Sequence, residues 1–173
     1  MRRILRRREV VADDWRYWGD EAPAGVAVTQ GNDSSALVVP LAEFRTNIAR
    51  WRAYSGPLGV RLSPADAVEI LAEDIHRLSL VAAEFPGPGD GRGYSQGRLL
   101  RSRLQFRGEL RAVGAGVKQD LLFLMARCGF DSFELAPGQK VEDALRALER
   151  YDVAYQPAEP LPAIRQQRFF TAS

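Results

Sequence analysis

Residues 58–85 read LGVRLSPADAVEILAEDIHRLSLVAAEF, and the order of patterns inside this stretch decides the fold. It opens on one short apolar run, LGVRL, and closes on another, LVAAEF, each of strand length. Between them Ser63 stands where a helix cap belongs, Pro64 suits a first turn, and Asp66 follows three residues after the cap. Val68, Leu71, Ile75 and Leu78 then recur at helical spacing as one inward stripe. The stretch therefore predicts strand, helix, strand.

The same unit repeats on either side. Strand-like runs ALVVPL, LGVRL, LVAAEF, ELRAVG, DSFEL and VAYQ start near residues 36, 58, 80, 109, 131 and 153. The interval is about 22 residues at every step except the third, which is about 29. A leucine-rich solenoid has a similar period, but its LxxLxL signature is absent. Helical stripes fill the intervals: Leu41, Phe44, Ile48 and Trp51; Leu121, Met125 and Cys128, with Gly129 placed to end that helix; and Val141, Ala144, Leu145 and Leu148. In the last of these, Glu142 and Asp143 lie early and Arg146 and Arg150 late, as the helix dipole favours.

Strand, helix, strand joined by short connections returns the chain to the same end of a sheet each time, so the strands are expected to be mainly parallel. The class is α/β, with repeated βα units forming an incomplete TIM-barrel-like sheet; an open doubly wound sheet is the alternative. In either form ligands bind beyond the carboxyl ends of the strands. The expected organisation is one α/β domain over residues 1–156, with edge strands in 1–35 (Glu9 to Trp18, then GVAVT) and the repeats in 36–156. Residues 157–173 form a proline-interrupted tail ending near Phe169 and Phe170.

The one long interval contains FPGPGDGRGYSQGRLLR, residues 85–101. Glycines at 87, 89, 91 and 93 would let the backbone take positive φ and approach a ligand closely. Neither GxGxxG nor GxxxxGK[ST] occurs there, so no nucleotide fingerprint can be claimed. A weaker anion site remains, with Ser95 capping a helix that begins after Tyr94, and with Arg61, Arg92, Arg98 and Lys118 supplying charge. Glu84, at a strand end, and Asp90, in the loop, are the candidate acid or base groups; a salt-bridge lattice with the arginines is the competing reading.

Composition limits the alternatives. A net charge of +2 is too small to imply a nucleic-acid partner, and of the 24 basic residues only Lys118 and Lys140 are lysines. The lone histidine, His76, shares a face with Glu69 and Glu73 and reads as exposed, which leaves a catalytic triad or a multi-histidine metal site without support. The single cysteine, Cys128, excludes an internal disulfide and a four-thiolate cluster held by this chain alone, and it reads as a small core hydrophobe. The start, MRRILRRREVV, lacks the uninterrupted apolar run of about 7 to 15 residues of a signal peptide, and no segment approaches about 18 consecutive apolar residues. A cytoplasmic protein without a membrane partner is the expectation.

The run from DGRGYS through GRLLRSRLQFRGELRAVG to LLFLMARCGFDSFEL resembles the bacterial family of unknown function called DUF934, over roughly residues 35–155. The resemblance implies an oxidoreductase or accessory protein of sulfite reduction, with a sulfite reductase as partner. After AVG, relatives carry an aspartate and then an arginine-aspartate pair, whereas here the segment reads Ala115, Gly116, Val117, Lys118, Gln119, Asp120. The missing carboxylate at 115 weakens a catalytic or metal role for that loop, while Lys118 keeps the positive charge. Sulfite reduction needs a redox centre, commonly sirohaem coupled to an iron-sulfur cluster, and one cysteine cannot hold it. This chain is therefore not a sirohaem subunit by itself, and no cofactor is assigned to it. The expected function is an accessory or electron-delivery protein that binds a small anion and the reductase. A stand-alone enzyme acting on a phosphorylated or sulfated small molecule is the alternative, as is a structural module that dimerises to complete its barrel.

Overall fold

The computed structural model describes residues 3–19 and 34–149. Eight strands form one sheet: β1 (Arg3–Arg6), β2 (Glu9–Ala12), β3 (Arg16–Tyr17), β4 (Leu37–Pro40), β5 (Leu58–Leu62), β6 (Leu80–Glu84), β7 (Glu109–Val113) and β8 (Ser132–Phe133). Their spatial order is β2-β1-β8-β7-β6-β5-β4-β3. From β3 to β8 every neighbour is parallel and the order never reverses, so each crossover advances the sheet by one strand. A doubly wound sheet reverses direction at a switch point. This sheet winds one way, like an incomplete barrel.

Chain length shows that the sheet curls. β2 and β3 lie at its opposite edges, and a flat sheet would separate them by seven spacings of ~4.8 Å, or about 34 Å. Yet only Asp13, Asp14 and Trp15 join them, and four Cα steps reach at most about 15 Å. The Asp13–Trp15 strap therefore draws the edges together.

Register assigns the two faces. Leu37, Leu58, Val60, Val81, Ala83, Leu110, Ala112 and Phe133 point outward and belong to the main core. The covering helices are α1 (Leu41–Thr46), α2 (Ile48–Arg52), α3 (Arg92–Ser102), α4 (Leu122–Arg127) and α5 (Val141–Glu149). They contribute Phe44, Trp51, Leu100, Leu122, Met125, Ala144 and Leu148 to that core. The concave face carries a smaller cluster of Tyr17, Val38, Leu80, Ala82 and Val113, with Trp15 from the strap packed on it.

The N-terminal segment supplies more structure than its composition suggests. β1 is an additional strand that pairs antiparallel with β8, in a hairpin with β2. Arg7 and Arg8 turn that hairpin at φ 50° and 64°, the positive values a two-residue type I′ turn requires. The expected strands at GVAVT and VAYQ, along with Arg150 and the tail, lie outside the described residues.

The helix expected after Ser63 needs correction. Residues 68–71 and 75–77 are two short 3₁₀ helices, and the amides of Ile70, Ala72, Asp74, Arg77 and Leu78 each bond three residues back. The Ser63 carbonyl accepts the Asp66 amide three residues on, at 3.1 Å, and Gln96 of α3 donates to the carbonyls of Ser63 and Asp66 at 2.8 and 2.9 Å, so these first-turn acceptors are engaged outside an α-helical pattern. The anticipated stripe survives, because Val68 and Leu71, like Ile75 and Leu78, are three apart and align at a pitch of about 3.0 residues. Asp66 still reaches back to the amide of Ser63 at 2.7 Å, forming half of the expected capping contact. Gly129 ends α4 at φ 98°, as expected.

Candidate functional site

The carboxyl ends of β4, β5 and β6 converge beside the chain that leaves β3. There they line an open cleft of about 430 Å³, whose described walls are Tyr17, Trp18, Gly19, Pro40, Leu41, Ala42, Arg61, Ser63, Asp66 and Glu84. Arg61 pairs in register with Ala82, and Glu84 lies two residues further along the same face of β6. Pleating therefore puts both side chains on the concave side, where they form a 3.1 Å ion pair. The two are 20% and 28% exposed, poised between the core and solvent. Trp18 is held rigidly at the rim: Trp51 meets it edge-on at 5.1 Å between centroids, and the Arg50 guanidinium lies 4.6 Å over its ring.

Beside its apolar cluster the concave face also carries a buried set of ion pairs. Arg111 on β7 is fully buried, and it donates to Glu109 through Nε and Nη2 and to Asp13 of the strap at 3.0 Å. Burial by itself would lower the Arg111 pKa, but the charges of Glu109, Tyr17 and Asp13 outweigh it and hold the pKa above its ordinary value. The arginine is thus a permanent cation that ties strap to sheet. A second cavity of about 340 Å³ lies where β1, β2 and β7 meet, lined by Arg6, Arg7, Glu9, Val11 and Glu109.

Of the sequence-derived candidates, Arg61 and Glu84 come together in the larger cavity, and Asp90, Arg92, Tyr94, Ser95, Arg98 and Lys118 are not among its lining residues. Asp90 accepts from Arg92 three times: from Nε at 3.0 Å, from Nη2 at 2.6 Å and from the backbone amide at 3.1 Å. Its carboxylate is itself the anion at the start of α3. The Arg92 side chain first, then its amide, hold the Asp90 pKa below its ordinary value, which suits a fixed charge better than a general base. Tyr94 packs edge-on against Phe85 at 5.1 Å, and burial, followed by the charges of Cys128 and Asp120, raises its pKa.

Other expectations are corrected. α3 begins at Arg92 after Gly91, so Ser95 sits inside its first turns, exposed, and caps nothing. Lys118 precedes α4 in a turn whose carbonyl accepts from Leu121, and so it is not a first-turn cation. Arg98 lies on the exposed side of α3. None of Gly87, Gly89, Gly91 and Gly93 has positive φ. Gly93 serves packing: a Cβ there would stand 2.6 Å from the Phe85 ring.

Sequence reading missed Tyr17, Trp18 and Asp66 as cavity walls and Arg111 as a buried cation. The alternation in ELRAV, which places Glu109 and Arg111 on one face of a strand, carried the signal for the last. Among the described residues no three His, Cys, Asp or Glu side chains gather as metal ligands, and no helix is long and apolar enough to cross a membrane.

Residues 59–163, more than half of the chain, match the family described as bacterial protein of unknown function, DUF934, and the chain belongs to that family. No curated protein matches it.

Proposed function

We propose that this DUF934 protein is a cytoplasmic, non-haem accessory component of assimilatory sulfite reduction, which holds a small ligand by an anionic group at Arg61 and docks on the reductase. The observation that supports the reading is the Arg61–Glu84 pair in a cavity at the carboxyl ends of parallel strands, the end where such sheets receive ligands. The resemblance to proteins of sulfite reduction supplies the pathway. The redox centre belongs to the reductase, since Cys128 is the only thiol of this chain.

Copurification with a tagged sulfite reductase, together with reductase turnover measured with and without this protein, tests the proposal. Association and a change in turnover are expected; consistent absence of both sinks it. In the same assay Arg61→Gln should weaken ligand-dependent effects at least about tenfold, the scale of one charge-assisted hydrogen bond.

Glu84 favours a second reading. A carboxylate facing a guanidinium inside a cavity is placed to take a proton from a ligand fixed by Arg61, which would make the protein an enzyme in its own right. Glu84→Gln separates the two, because a general base loses turnover while a binding residue changes affinity.

A further inference from the structure

We infer that the protein has a second binding site, at the amino ends of β7 and β8, where Arg6 and Arg7 receive a tetrahedral oxyanion of the phosphate or sulfate class. Glu109 opens β7, and Ser132, the register partner of Arg6, opens β8, whereas Glu84 closes β6. The site is thus at the other end of the sheet from the Arg61–Glu84 cleft.

Uncommitted donors are the first argument. Arg6 and Arg7 both line the cavity of about 340 Å³. Other guanidinium groups spend their forks on carboxylates: Arg52 on Asp74, Arg92 on Asp90 and Arg111 on Glu109, each through Nε and Nη2 at 3.0 Å or less. Arg6 and Arg7 differ. Neither guanidinium donates a hydrogen bond among the described residues, and each keeps one loose ion pair: Arg6 Nη1 with Glu109 Oε2 at 3.5 Å, and Arg7 Nε with Asp131 Oδ2 at 3.9 Å. A carboxylate has two oxygens and satisfies one planar fork, while a tetrahedral oxyanion has oxygens enough for two.

The backbone beneath the two arginines is fixed. Arg6 pairs with Ser132 across β1 and β8, and the Arg7 amide donates to the Asp131 carbonyl at 2.7 Å. Binding therefore orders only side chains, which lowers its entropic cost. Of the two carboxylates in the walls, Glu109 is already held by Arg111, which donates to its Oε1 twice. Glu9 is exposed and makes no ion pair among the described residues, so its charge alone opposes an anion and provides a control. At about 30 Å³ for each water-sized atom, the cavity admits a five-atom oxyanion.

Isothermal titration calorimetry in Tris chloride at constant ionic strength, with sodium phosphate, sodium sulfate and sodium acetate, tests the site. It is run on the full chain and on Arg61→Gln, which removes the arginine of the cleft. Phosphate or sulfate is expected to bind both proteins at least about tenfold more tightly than acetate, and the tighter of the two identifies the class. In the Arg61→Gln background, Arg6→Gln and Arg7→Asn should each weaken that binding at least about tenfold with circular dichroism unchanged, asparagine being tolerant of the positive φ at position 7. Glu9→Gln should tighten it, because a like charge is gone. Should Arg6→Gln fail to fold without its Glu109 contact, Arg7→Asn decides. The inference is overturned if neither phosphate nor sulfate binds, if acetate binds as tightly, if a folded arginine variant keeps the full affinity, or if Glu9→Gln weakens binding. Binding that Arg61→Gln abolishes belongs to the cleft, which removes the second site and leaves the accessory role standing. Failure to associate with the reductase removes that role and leaves the oxyanion site standing.

Discussion

The phenol of Tyr17 donates a 3.0 Å hydrogen bond to Oε2 of Glu134, a residue 117 positions further along the chain. Tyr17 is on β3 and Glu134 follows β8 directly, five strand positions away in the order of the sheet. In a flat sheet that separation would be about 24 Å, so the bond spans the hollow of a curled one. Tyr17→Phe removes the donor and leaves the ring, which is 8% exposed, in place. A loss of about 1 kcal/mol in urea unfolding, with native circular dichroism retained, is expected. A loss within error would show that the bond does not help hold the curl.

Arg111 and Asp13 make the stronger clasp, since both side chains are fully buried. Arg111→Met takes the guanidinium away from the buried carboxylate of Asp13 and the largely buried one of Glu109 and should cost about 3–5 kcal/mol. Asp13→Asn should cost less, because Glu109 continues to neutralise the guanidinium. The double variant should be more stable than the sum of the two losses predicts, and a double-mutant cycle measures the difference. Additive losses would mean that the two side chains do not act as a pair.

These two contacts mark where sequence reading ends. Parallel order was legible because the apolar runs at 58–62, 80–84 and 109–113 recur with helical stripes between them. Arg61 and Glu84 were legible for the same reason, since each stands at or near the carboxyl end of a recognisable strand. What could not be read locally depends on distant partners. Gln96 reaches the carbonyl of Ser63 from 33 positions away, at the start of a segment that turns with 3₁₀ bonds where local capping signals promise an α-helix. Glu109, one partner of Arg111, stands in the same strand, but the other, Asp13, lies 98 positions upstream, and no local pattern in ELRAV names it. The glycine loop misled because composition announces freedom of φ, whereas Gly93 and Gly97 are small for the sake of Phe85 and Phe130.

That distinction among glycines is testable. A Cβ at Gly97 would stand 2.5 Å from the ring of Phe130, and one at Gly93 would stand 2.6 Å from that of Phe85. Both rings are buried in the main core and have nowhere to retreat. Gly93→Ala and Gly97→Ala should each cost about 1–3 kcal/mol by overpacking. Gly87 and Gly89 meet nothing within 4 Å and keep negative φ, so Gly87→Ala and Gly89→Ala should be neutral or gain up to about 1 kcal/mol by stiffening the unfolded chain. Equal losses at all four positions would restore a conformational role to the loop.

Acid titration should expose the clamp between Arg52 and Asp74. Arg52 Nε and Nη2 each donate at 2.8 Å, to Asp74 Oδ1 and Oδ2 respectively, tying α2 to the 3₁₀ segment. Hydrogen bonding by Arg52 is the main cause that lowers the Asp74 pKa; burial opposes it, and the positive charges of Arg52, Arg77 and His76 assist it. The folded state therefore binds the Asp74 proton less readily than the unfolded chain does. Its stabilisation is complete above the ordinary aspartate range near 3.8 and is lost as the pH falls through the lower folded value. Asp74→Asn should accordingly shift the urea midpoint downward at pH 7, and the gap from wild type should narrow below about pH 4. A gap that stays constant from pH 7 down to pH 2 would show that the carboxylate charge contributes nothing, and that hydrogen bonding by a neutral side chain suffices to hold the segment.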